Sequence, residues 1–261
     1  MRGDWQDLKT TIYLLLVLVV SAITLFTACP KRQEKPSLQQ SSAAALEQAL
    51  KLKQEKRYPQ AEEAFTFVIF NFPGSTEAAD AQFHLADCYF LSRNYQQAQS
   101  EFEFYLSNYP HGRYEEEAAF KLALSTFLAA PGPHQDQTQS RRAQELFLEF
   151  LERYPESTFR SKVQEVLSQI DTRLAYNDLE AARLYFKAGE YKSALVYYQY
   201  IQQTWPNLTW QYVDRYRLGV CYLETGDTGK AKQVLSELVT DSAPLSVLRP
   251  AQRLLNRITS H

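Results

Sequence analysis

The sequence predicts an all-α protein, an α-solenoid of about five helix pairs followed by one C-terminal helix. Three observations predict it. A spaced set of small and aromatic residues ending in proline recurs along the 261-residue chain. Most recurrences have a partner segment ahead of them in fixed register. The chain holds only 8 glycines and few β-branched runs, which disfavours sheet.

The recurring set is a small residue, an aromatic four positions on, a second aromatic seven beyond that, and then proline. Ala61, Phe65, Phe72 and Pro73 fill it first. Ala98, Phe102, Tyr109 and Pro110 follow, then Ala143, Phe147, Tyr154 and Pro155, then Ala194, Tyr198, Trp205 and Pro206. A fifth copy is degraded: Ala231 and Leu235 keep their places, but Ser242 and Ala243 replace the last two. Residues four apart share a helix face, and seven more is about two turns. Proline then stops the helix, since it lacks the N–H and its ring clashes with the preceding turn. The alanine lets a neighbouring helix come close, and the aromatic fills the space beside it.

A partner helix precedes each block. Leu85, Ala86 and Tyr89 stand ahead of Ala98 at the distances that Leu218, Gly219 and Tyr222 keep ahead of Ala231. Ala181, Ala182 and Tyr185 keep the same distances ahead of Ala194. Gly189 and Gly226 lie five residues before their alanines, where the chain turns between paired helices. The pattern resembles the tetratricopeptide repeat, a helix–turn–helix unit of about 34 residues. It covers most of residues 43–243.

Residues 1–28 read as a lipoprotein signal peptide. Thr10 to Pro30 carries no charge and Ile12–Val20 is strongly apolar, the mark of a secretory signal or a membrane anchor. The run closes on Leu25-Phe26-Thr27-Ala28-Cys29. A small residue before a cysteine resembles the bacterial lipobox, with Phe26 where leucine is usual. That resemblance implies cleavage before Cys29 and acylation of Cys29; an uncleaved anchor is the alternative. Residues 29–42 hold the lipidated cysteine and a polar, aperiodic stretch that reads as a flexible tether.

Residues 43–155 hold repeats one to three. AAALEQALKLKQEK is a strong helix former, and Tyr58 opens the second helix of repeat one. Ser75 or Thr76 caps the first helix of repeat two. The alanines of repeats one and two are 37 residues apart, and the next interval is stretched to 45. The surplus falls between Ala129 and Gln139, a breaker-rich run that makes an enlarged loop. Residues 156–261 hold repeats four and five and a capping helix. The interval into repeat four is 51 residues, and Glu156 to Ala188 contains neither Gly nor Pro. One long helix follows, close to 48 Å at about 1.5 Å per residue. Leu245 to Ile258 is the closing helix that a solenoid end requires.

The two insertions, together with the lipobox, resemble the BamD-type outer-membrane assembly lipoproteins. Tyr58-Pro-Gln-Ala61, Tyr109-Pro110, Asp136-Gln137-Thr138 with Arg142-Ala143, and Arg153-Tyr154-Pro155-Glu156-Ser157 carry the likeness. So do Leu174-Ala175-Tyr176 and the run on to Gly189-Glu190-Tyr191. The last repeat and the C-terminal segment depart from it. The resemblance implies a lipid-anchored subunit on the periplasmic face of the outer membrane. Its implied partners are a BamA-type β-barrel insertase, other assembly subunits, unfolded outer-membrane protein segments, and the membrane through its acyl chains. Pro30, in place of an aspartate after Cys29, favours the outer over the inner membrane. The alternative is another tetratricopeptide lipoprotein scaffold, organising cell-wall synthesis or division complexes.

Tetratricopeptide arrays bind extended peptides on a concave face lined by first helices. The corresponding positions here are Asp80, Phe83, Asp87, Phe90 and Leu91 in repeat two, and Glu117, Phe120, Leu124, Phe127 and Leu128 in repeat three. Such a groove suits an apolar, aromatic-bearing guest. The competing reading makes Phe83, Phe90 and Phe120 core. The Asp136, Thr138 and Arg142 region has two readings as well: a partner-docking loop, or a connector in which Asp136 and Thr138 cap the next helix.

No catalytic constellation stands out. His84, His111, His134 and His261 are scattered, without the spacing of a metal site or a phosphate-binding glycine loop. The chain is therefore expected to be non-enzymatic, with no cofactor and no metal. A net charge of −2 gives no basic footprint for nucleic acid. Cys88 and Cys221 sit one before the packing tyrosines and are expected as buried thiols, not a disulfide.

Overall fold

The computed structural model describes residues 41–241 and 243–260; Cys29, the signal-like segment and all but the end of the tether lie outside them. Among the described residues the chain is an all-α solenoid with eleven helices. The first pair is α1 (Ser42–Gln54) and α2 (Tyr58–Asn71), the second α3 (Thr76–Leu91) and α4 (Tyr95–Asn108). The third is α5 (Glu115–Ala129) and α6 (Thr138–Arg153), the fourth α7 (Arg160–Lys187) and α8 (Tyr191–Thr204). The fifth is α9 (Tyr212–Glu224) and α10 (Thr228–Thr240), and α11 (Leu245–Thr259) closes the stack.

The recurring residues explain the pairing. Ala61, Ala98, Ala143, Ala194 and Ala231 are all at 0% exposure, as are Phe65, Phe102, Phe147, Tyr198 and Leu235 four residues on. The second aromatics end their helices. Phe72, Tyr109, Tyr154 and Trp205 are the C-caps of α2, α4, α6 and α8, with φ between −127° and −123°. The proline that follows each of them excludes the α region there.

The turns inside four pairs share one geometry. Lys56, Arg93, Gly189 and Gly226 have positive φ of 57°, 62°, 81° and 90°. The next N–H in each case (Arg57, Asn94, Glu190, Asp227) donates back to the carbonyl of Leu52, Tyr89, Tyr185 or Tyr222. This left-handed C-cap satisfies carbonyls the helix end leaves orphaned. Side-chain caps start several helices: Ser75 Oγ accepts from Ala78 N at 3.0 Å, and Asp227 Oδ1 from Lys230 N at 3.0 Å.

First helices approach one another closely across repeats, α1 with α3, α3 with α5, α7 with α9, and α9 with α11, whereas second helices lie further apart. The first-helix layer is therefore the inner, concave one. That approach is not matched between α5 and α7, where the two insertions meet. Asn177 Nδ2 of α7 donates to the Pro133 carbonyl at 2.9 Å, and Arg173 lies over the Phe127 ring at 4.4 Å. The enlarged loop is thus held against the long helix. At the far end, Val247 and Ala251 of α11 bury against Leu235 and Leu238 of α10.

Candidate peptide groove

The inner face of the first three pairs is built on an ion ladder. Asp87 of α3 bonds Lys53 of α1 through Oδ2 at 2.5 Å and Lys121 of α5 through Oδ1 at 2.5 Å. Lys121 also reaches Glu117 Oε1 at 2.7 Å, and Lys53 Nζ lies 3.0 Å from His84 Nδ1. The Asp87 side chain is only 8% exposed. Burial works against its carboxylate, but the charges and hydrogen bonds of Lys121 and Lys53 outweigh this and hold its pKa below the usual range. His84 is pushed down to about 4, by burial first and then by the Lys53 charge beside it, so the ring is neutral at pH 7. Sequence reading singled out Asp87 and missed both lysines. The available signal is spacing: Lys53, Asp87 and Lys121 are 34 residues apart in turn, the repeat period.

The aromatic positions divide. Phe83 takes the core alternative, at 2% exposure with Tyr114 stacked on it at 4.2 Å and 9°. Phe120 does the same, covered by Phe159 at 4.5 Å and 7°. Both covering rings precede the next first helix, so each connector lays an aromatic over the previous repeat. Phe127 is also buried, under the Arg173 guanidinium. Phe90 is half-buried, with its edge to Tyr95 at 5.7 Å and Lys121 at 6.0 Å over its face. Leu91 and Leu128 are exposed at 44% and 41%, and Leu124 is half-buried. Of these positions, Phe90, Leu91, Leu124 and Leu128 keep apolar surface open to solvent.

Asp136, Thr138 and Arg142 are all exposed at the start of α6, with Thr138 and Arg142 four apart on one face of that helix. Asp136 Oδ1 accepts from Thr138 N at 3.2 Å and from Thr138 Oγ1 at 2.8 Å, fastening the start of α6. Arg142 is a turn further on, where it reaches Glu145 at 3.4 Å and lines a groove between α4 and α6.

The second half repeats the ladder in another form. Asp214 of α9 is fully buried and accepts from Arg183 of α7 at both oxygens (2.9 and 2.5 Å) and from Arg217 at 2.9 Å. Leu184 and Val213, exposed at 67% and 37%, share a depression with these arginines. Cys88 and Cys221 are free and buried, and burial pushes both thiols up to about 12. At that value neither is a nucleophile at neutral pH. No cluster of metal-ligating side chains occurs among the described residues. No helix among them is long and apolar enough to cross a membrane.

Paired helices stacked in register define a tetratricopeptide-type α-solenoid. The outer membrane lipoprotein family YfiO matches residues 38–238. The chain belongs to that family of outer-membrane lipoproteins. Solved structures with similar helix order share little sequence. A tetratricopeptide protein of Thermus thermophilus is 15% identical, with 84% of this chain and 98% of that one covered at a TM-score of 0.35. The yeast Sti1 domain pair solved with an HSP90 peptide is 11% identical, with 84% and 98% covered at 0.42. A Parabacteroides merdae repeat protein is 15% identical, with 97% and 84% covered at 0.36. Among curated proteins, none matches.

Proposed function

We propose that this protein is a non-catalytic, lipid-anchored scaffold of the outer-membrane β-barrel assembly machinery. Cys29 carries the acyl chains and the solenoid faces the periplasm. The inner groove around Phe90, Leu91, Leu124 and Leu128 holds an apolar, aromatic-bearing segment of an unfolded barrel protein. The insertase docks on the second half, where Leu184 and Val213 stand exposed beside Arg183 and Arg217. The observation that carries this reading is the family match over residues 38–238. The groove geometry supports binding by aromatic and aliphatic contact, the kind that dominates such interfaces.

Affinity isolation of the tagged chain from solubilised envelopes tests it. A large β-barrel insertase should co-purify. Recovery of cell-wall synthesis or division enzymes alone would establish the alternative scaffold. Mass spectrometry of the mature N-terminus tests the anchor: an acylated Cys29 is expected, and an intact Met1 would overturn it.

A further inference from the structure

We propose that the groove between α4 and α6, on the outer face, docks a cationic amphipathic helix of a partner protein. This site is separate from the inner groove and stands whether or not that groove takes a peptide. The chain reverses at the turn after α4 and again at the enlarged loop after α5, so α4 and α6 run in the same direction with α5 beneath them. Leu106, Ala119 and Leu146 give the groove a half-buried apolar floor. An extended segment lying there would find no backbone partners, because the N–H and C=O groups of α4, α5 and α6 are spent within their own helices. A helix satisfies its own backbone and needs only an apolar stripe to present.

The charges on the rim choose the partner's sign. Glu103 and Glu149 are exposed and have no ion-pair partner among the described residues. The two arginines of the groove are already committed: Arg142 to Glu145 at 3.4 Å and Arg153 to Glu115. The rim therefore keeps two unneutralised carboxylates beside apolar surface. The Tyr154 ring lines the same groove and adds to its apolar surface. A helix with lysines or arginines flanking a leucine stripe complements the rim.

The test uses the full chain in zwitterionic nanodiscs, with empty nanodiscs as the blank. Two labelled model helices are titrated by fluorescence anisotropy: one of Leu and Lys, and its twin with Glu for Lys. The Lys helix should bind about tenfold tighter, equivalent to about 1.4 kcal/mol. The pair Glu103→Lys and Glu149→Lys, both on exposed positions, should reverse that preference without moving Tm. Leu91→Ser, in the inner groove, should leave it unchanged. Equal binding of both helices, or a preference that survives the charge reversal, would overturn the proposal. Self-association of the chain that Glu103→Lys abolishes would assign the groove to a second copy and overturn it equally.

Discussion

Asp87 joins three helices that share no turn, and its chemistry sets the strongest residue-level predictions. Replacing it by Asn leaves two lysine ammonium groups facing each other, only 16% and 17% exposed. Removing one partner of such a cluster costs about 3 kcal/mol, read as a fall in urea midpoint. Adding Lys53→Met and Lys121→Met to Asp87→Asn should restore most of the loss, because the stranded charges go with their stems' packing kept. His84 makes a pH prediction of definite sign. Its folded pKa of about 4 lies below the free value of 6.5, so between them the unfolded chain binds more protons. Stability is full above pH 6.5 and falls as the pH drops towards 4, by about 3 kcal/mol. His84→Gln should flatten that segment of the stability curve. Asp87, with a lowered pKa, loses its contribution only below the free value of 3.8, so the two effects occupy different pH windows. The ladder was hard to see in the sequence because the alanine markers are spaced 37 and 45 residues apart, while the first-helix charges keep a spacing of 34. Burial of Phe83 and Phe120 was one of the two readings the sequence left open. What decides it is Tyr114 and Phe159, connector residues that each stand 16 after the repeat alanine, a register outside the helical period.

The helices themselves were legible because one side of each obeys a strict rule. Alanine, the aromatic four on, and the aromatic before proline fixed which face is buried and where each second helix ends. The long helix was legible for the opposite reason, an absence of breakers: α7 runs 28 residues from Arg160 to Lys187. Its embrace of the 130–137 loop was not, because Arg173 and Asn177 meet prolyl carbonyls more than forty residues away, with no pattern to announce it. Asn177→Ala should cost about 1 kcal/mol by orphaning the Pro133 carbonyl, and should raise hydrogen exchange in that loop before elsewhere. The turns allow a paired test of one geometry. Gly189 and Arg93 occupy equivalent positions with φ of 81° and 62°. Gly189→Ala should destabilise by about 1 kcal/mol, since a side chain is disfavoured in the left-handed region. Arg93→Gly should be neutral or stabilising by up to about 1 kcal/mol, the relief of strain being offset by a more flexible unfolded chain. Thermal midpoints of the two variants that move in the same direction would contradict the shared-turn account.

At the scale of the whole molecule, the repeated pair explains both the curvature and the division of labour. First helices crowd inward and carry the charged ladders; second helices lie apart and leave grooves on the outside. Function at this scale is a question of which surface holds what, and the inner groove of the first three pairs is the central claim. The direct measurement is a thermal-shift and anisotropy titration of the full chain with a peptide ending in an aromatic residue. The account predicts stabilisation by the peptide, and a loss of affinity of about tenfold, or about 1.4 kcal/mol, on Leu91→Ser with the thermal midpoint of the free protein unchanged. No stabilisation by the peptide, together with a Phe90→Ala variant that only lowers the thermal midpoint, would show Phe90 to be core and contradict the account.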